Sequence, residues 1–220
     1  MAVRGKSIMQ FVFSCESNLK NITALNFLAH IFLSFGHEQI SIGNFIADSV
    51  KGKSQESFSK EIQQGIALHR AIDSFTDSHP LYRRSCKRIF KVHGHYSRVI
   101  IDIFYDYFLA KNWPAYHPQP LAQFAAAFYT LLEIEFDRLP PKTQHLLPYM
   151  KKQNWLVAYG SLSGIDGILK GMHRRTSFNS KMDLAVNELA AFEKELEGDF
   201  KEFFKELIIF SKNKLAVIRA

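Results

Sequence analysis

From Leu25 onward, apolar residues recur at intervals of three and four, and glycines, prolines and charged runs break them into segments. Leu25 to Phe35 predicts a short helix ending near Gly36, and Ile40 to Val50 a second, stopped by Gly52. Phe58 to Ser78 predicts a longer helix that closes before Pro80, because proline lacks the N–H a helix interior needs. Tyr82 to Val92 carries a basic face, and Tyr96 to Lys111 is strongly apolar up to Trp113-Pro114. Pro120 to Phe136 is rich in alanine and phenylalanine, and shorter helices are expected over Lys142 to Met150, Gln153 to Tyr159 and Leu162 to His173. Between Lys181 and Phe210, apolar residues from Leu184 to Leu207 keep helical spacing among charged ones, predicting an amphipathic helix that Gly198 bends or divides. No Val/Ile/Thr alternation of useful length interrupts this series. The expected class is therefore all-α: a compact helical bundle in a single domain over residues 25–220, preceded by an irregular extension over residues 1–24.

The chain of 220 residues is 47% hydrophobic, enough for one well-packed domain. No apolar run approaches the roughly 20 residues that span a bilayer. The strongest, Val99 to Ala110, is broken by Asp102 and Asp106 and reads as a buried helix. Arg4 and Lys6 precede only a short apolar patch, Ile8 to Phe13, less than a secretory leader needs. Cys15 and Cys86 lie far apart with no metal-type spacing, so free thiols in a reducing cytoplasm are expected. The net charge of +7 favours an acidic partner.

The sharpest chemical signal is Leu68-His69-Arg70-Ala71-Ile72-Asp73 with Phe75-Thr76-Asp77. His69, Asp73 and Asp77 recur every four residues and so share one face of a helix. Asp102 and Asp106 repeat the spacing in an otherwise apolar segment, where an unpaired carboxylate is costly to bury. A metal ion shared with histidines would relieve that cost, and so would arginines such as Arg70 or Arg98. His30, at the end of Asn26-Phe27-Leu28-Ala29-His30, and Asp48, in Gly43-Asn44-Phe45-Ile46-Ala47-Asp48, are further lone polar groups in apolar company. Mixed imidazole and carboxylate ligands suit Mn²⁺, Mg²⁺ or Fe²⁺ better than a structural zinc.

Taken in order, these four segments, with Asp102-Ile103-Phe104-Tyr105-Asp106-Tyr107-Phe108-Leu109, Trp113 and Gly171-Met172-His173-Arg174-Arg175, closely resemble the acyl carrier protein phosphodiesterases. The resemblance implies an all-helical fold distantly related to the HD-type phosphohydrolases. It also implies removal of 4′-phosphopantetheine from holo acyl carrier protein with Mn²⁺ or Mg²⁺. Carried over, it places His30, Asp48, His69 and Asp73 at metal and catalytic positions, with Asp77, Asp102 and Asp106 in the same motifs. Where many members have histidine this chain has Tyr107, a poor Mn²⁺ ligand, expected to support the site rather than bind metal.

Arg70, Arg174 and Arg175 are candidates for holding phosphate oxygens. A basic run, Arg83, Arg84, Lys87, Arg88 and Lys91, suits an acidic carrier protein, with Arg84, Lys87, Arg88 and Lys91 sharing one broad face of a helix. Two other readings remain at this stage: an HD-like phosphohydrolase of a small phosphoester or nucleotide, and a non-catalytic module that binds acidic proteins. Nucleic acid is not expected as a partner, since no reading motif or stacking aromatics accompany the basic residues.

Overall fold

The computed structural model describes residues 27–176 and 180–220. The extension expected over residues 1–24 lies outside them. Ten α-helices follow one another: α1 (Phe27–Phe32), α2 (Glu38–Ile46), α3 (Lys60–Ser78), α4 (Pro80–His93), α5 (Ser97–Lys111), α6 (Leu121–Ile134), α7 (Pro141–Lys152), α8 (Trp155–Ala158), α9 (Leu162–Arg175) and α10 (Ala185–Arg219). Among the described residues there is no strand. The all-α expectation holds, and each predicted segment corresponds to a helix, with ends moved by a few residues in all but the last.

Local chemistry accounts for several boundaries. The Ser59 hydroxyl accepts from the Ile62 N–H at 3.3 Å and caps α3. Pro80 takes the first turn of α4, where a missing N–H costs nothing. Gly94, at φ +54°, ends α4 in a conformation that disfavours other residues. After Ile46 the chain tightens into a 3₁₀ turn, Ala47–Ser49, which re-aims Asp48.

Ile42, Ile46, Ile66, Leu68, Ile72, Phe104, Phe108, Phe200 and Phe204 are fully buried and draw α2, α3, α5 and α10 into one core. Its tightest crossing is between α2 and α3. A Cβ on Gly43 would lie 2.1 Å from the Ile62 carbonyl oxygen, and one on Gly65 would lie 2.2 Å from that of Ile40. Backbone meets backbone there, so the crowding cannot be relieved by a rotamer change. Gly65→Ala is therefore expected to force the helices apart at a cost of about 3 kcal/mol or more, read as a lower midpoint in urea unfolding.

The last helix departs from expectation in two ways. The break falls at Phe192 (φ −123°, ψ 19°), not at Gly198, which lies inside continuous helix. A glycine costs a helix about 1 kcal/mol but does not by itself bend it. The turn at Phe192 lets residues before it pack on α9 while those after it cross α3, α4 and α5. The helix also runs on to Arg219, nine residues past Phe210. Leu215 is buried, and the Ile218 carbonyl accepts from Gln64 Nε2 at 3.1 Å, so the added turns are part of the packed structure.

Candidate metal centre

Two helices and the 3₁₀ turn bring four of the sequence-predicted residues together. His30 comes from α1, Asp48 from the turn after α2, and His69 and Asp73 from successive turns of α3. The imidazoles of His30 and His69 stack with centroids 4.1 Å apart. His30 Nε2 lies 3.3 Å from Asp73 Oδ1 and His69 Nε2 lies 3.1 Å from Asp73 Oδ2. His69 Nε2 is also 3.4 Å from Asp48 Oδ1. The histidines form a buried floor, while the side chains of Asp48 and Asp73, 34% and 48% exposed, form a rim open to solvent.

Asn44, for which the sequence suggested no role, fixes both rings. Its amide nitrogen donates to the His30 carbonyl at 2.7 Å and to Ser34 Oγ at 3.2 Å, which identifies Oδ1 as the acceptor facing His30 Nδ1 at 2.7 Å. The Asn44 backbone carbonyl faces His69 Nδ1 at 2.8 Å. Both acceptors require a proton on Nδ1, so in the neutral rings both Nε2 lone pairs point toward Asp73. The Gly43–Gly65 contact makes this possible by bringing the Asn44 backbone within reach of α3.

Asp106 orients α1 in a comparable way. Its two oxygens accept the N–H groups of Leu28 and Ala29, each at 2.9 Å. These are first-turn donors with no partner inside their own helix, so α5 supplies the cap that α1 lacks. Burial pushes the Asp106 carboxyl upward, against the two N–H donors that favour its ionised form.

Two histidine lone pairs directed at two carboxylates repel unless a cation intervenes. Burial disfavours a proton on His69, but the hydrogen bonds and charges of Asp48 and Asp73 outweigh it and push its pKa up to about 9. Burial likewise opposes ionised Asp73, yet His30 and His69 hold it well below the usual carboxylate range. His30 Nε2 stays buried without an aligned hydrogen bond. One ligand atom from each of His30, His69 and Asp73 lies within 4.8 Å of the others. An orphaned imidazole nitrogen beside a second one and an ionised carboxylate is a donor set that fits a divalent cation.

The remaining candidates lie elsewhere. Asp77, one turn beyond Asp73, pairs with Arg98 at 3.1 Å. Asp102 accepts from the Tyr82 hydroxyl at 2.9 Å. Arg70 reaches Gln55 at 3.0 Å, and Arg174 and Arg175 end α9. Arg84 and Arg88 converge on Asp199, which is 2% exposed and also accepts from Ser85, so their charges serve the α4–α10 contact. Arg84 remains largely exposed while making this pair, and further outward charge around α4 comes from Arg83, Lys87, His95 and Arg98. With Tyr82, Phe90 and Asp77 these line a groove of about 570 Å³. Tyr107 turns toward Glu193 on α10 at 3.4 Å.

Asp102 has a measurable consequence. Burial, partly offset by Tyr82 and reinforced by the charges of Asp73 and Asp77, raises its pKa to about 7. The folded state thus holds a proton that the unfolded chain releases near pH 4, so this group lowers stability as pH rises from about 4 to 7. Asp102→Asn is expected to raise the thermal midpoint more at pH 8 than at pH 4.5, measured with EDTA present.

An all-helical bundle that carries a buried histidine pair beneath an acidic rim, a donor set able to hold a divalent cation, defines the class of molecule. Comparison with known proteins places it further. The model of the acyl carrier protein phosphodiesterase family matches residues 25–207, and the chain belongs to that family. Proteins named acyl carrier protein phosphodiesterase from Photorhabdus laumondii and Shigella boydii are each 29% identical over 191 residues, covering 86% of this chain and 96% and 99% of their own lengths. The protein of that name from an Enterobacter strain is 26% identical over the same span. No solved structure gives a significant match.

Proposed function

We propose that this chain hydrolyses the phosphodiester between a carrier-protein serine and 4′-phosphopantetheine, using Mn²⁺ or Mg²⁺ held by His30, His69 and Asp73 with Asp48 beside them. The observation that carries the reading is the convergence of two Asn44-oriented imidazoles on Asp73, in a chain of this family. When bound, a divalent cation supplies charge stabilisation at a phosphoryl oxygen and lowers the pKa of water.

The chain's own residues do the rest. Asn44 holds both rings in the tautomer that leaves Nε2 available. Asp48, at the open rim, takes a proton from the attacking water as its oxygen bonds to phosphorus. The bond from phosphorus to the serine oxygen breaks, and that oxygen receives the proton. Apo carrier protein and 4′-phosphopantetheine result, with one water consumed. Lys51, Lys142 and Arg175 share the electrostatic surroundings of Asp48, and burial depresses both Lys142 and Arg175. An anion drawn into that neighbourhood offsets the cost of burying their charge, which suits them to phosphate oxygens. The carrier's acidic surface meets the basic groove of Arg83, Lys87, His95 and Arg98 next to Asp77.

The test is intact mass spectrometry of holo acyl carrier protein incubated with the chain and Mn²⁺. Loss of the phosphopantetheine mass, blocked by EDTA and by Asp48→Ala, is the expected result. An unchanged carrier mass alongside hydrolysis of a small phosphodiester overturns the carrier assignment in favour of a small-phosphoester enzyme.

A further inference from the structure

Two cavities lie toward opposite ends of α3, on either side of the stretch that carries His69 and Asp73. Asp77, near its C-terminal end, lines the basic groove, and Ile62, near its N-terminal end, lines a second cavity of about 730 Å³. His69 and Asp73 lie between them on a stretch of helix that spans about 22 Å from Ile62 to Asp77. The second cavity begins at Ser49 and Val50, immediately after Asp48, and continues past Ser54, Ser57 and Phe58 to Leu139 and Pro140. Its volume is within the roughly 300–1,000 Å³ of small-molecule sites.

We propose that this cavity holds the pantetheine arm while the carrier protein sits at the basic end. The inference rests on the function proposed above. Two groups hang from the same phosphorus, a folded carrier and a slender chain, and they must leave the centre in different directions. The basic groove has the charge for the carrier. The second cavity has the chemistry of the arm, which alternates a gem-dimethyl group and methylenes with a hydroxyl and two amides. Phe58, Val50, Leu139 and Pro140 offer apolar contact. The Ser57 hydroxyl donates to the Ser54 carbonyl at 2.9 Å and keeps its lone pairs to accept amide N–H groups. Ser54 Oγ donates to the Lys51 carbonyl at 2.6 Å and accepts the Lys51 N–H at 3.1 Å, leaving one lone pair. A fatty chain wants an unbroken apolar wall, which these serines interrupt. At the far rim Gln39 donates to Glu135 at 3.1 Å and Arg138 pairs with it, closing the cavity with polar groups.

Ser57→Trp and Ser54→Trp test this, because both positions are exposed and the indole fills the cavity without entering the core. Each is compared with wild type for melting temperature, for KM and kcat on holo acyl carrier protein, and for hydrolysis of bis(4-nitrophenyl) phosphate, a diester with no arm. The expected result, in at least one variant that melts with wild type, is a KM for holo carrier raised about tenfold, with the arm-free diester hydrolysed at the wild-type rate. Wild-type KM in both variants, or an equal loss on both substrates, overturns the arm site while leaving the proposed function in place. A wild-type chain that releases no phosphopantetheine overturns the proposed function and the arm site together.

Discussion

Asp73→Ala is expected to lower kcat/KM on holo acyl carrier protein by about 10²–10³-fold, the scale on which loss of one preorganised charged group is felt in a catalytic site. The size of the effect follows from geometry. Asp73 is the one carboxylate within 3.3 Å of both imidazoles, whereas Asp48 approaches only His69. Removing it leaves the two Nε2 atoms without the anion that would complete a cation's surroundings. The stabilisation by Mn²⁺, read as a shift in melting temperature, is expected to vanish in the same variant. It also removes one of the two acids that raise His69, so that imidazole's pKa falls from about 9 toward its ordinary range, which NMR titration of the metal-free protein would follow. An Asp73→Ala variant that keeps wild-type turnover and a full Mn²⁺ shift would remove Asp73 from the site.

The second large effect is expected at Asp106, which touches no substrate. Asp106→Ala strips the partners from two buried N–H groups, each worth about 1–3 kcal/mol when left unsatisfied, and opens a void between α1 and α5. A loss of about 3–5 kcal/mol is expected in urea unfolding. Asp106→Asn keeps one acceptor and should fall between the variant and wild type. Because α1 carries His30, weaker Mn²⁺ binding is expected to accompany the stability loss. If Asp106→Ala unfolded at the wild-type midpoint, Asp106 would not be the cap of α1.

These two residues show how far the sequence could be read. The i,i+4 spacing of His69 and Asp73 requires only one helix, so their shared face was legible. His30 and Asp48 could be singled out as polar groups in apolar segments, and the family resemblance assigned them a role before any geometry was known. Asp102 and Asp106 gave the same kind of signal, yet one accepts from Tyr82 and the other caps a helix 77 positions earlier in the chain. A lone buried carboxylate announces a partner without saying which. Asn44 escaped notice because its function lies equally in its side chain and its backbone carbonyl, and the latter carries no sequence signal. The close approach at Gly43 and Gly65 was a tertiary fact that the sequence did not announce. Arg84 and Arg88 read as a docking face because helical spacing groups them with Lys87. Their pairing with Asp199, more than a hundred residues away and reachable only once α10 is in place, carried no signal in that spacing.

The course of α10 also bears on how the molecule is made. Its final turns lie against the first described helices: Gln64 of α3 donates to Ile218, and Arg219 meets His37 just before α2 at 3.0 Å. Chains emerge from the ribosome N-terminus first, so the segments around Gln64 and His37 are made well before the end of α10 that packs on them. A nascent chain therefore leaves the α10-facing side of α3 uncovered until α10 is made, and a polypeptide cut short within α10 would expose that apolar surface.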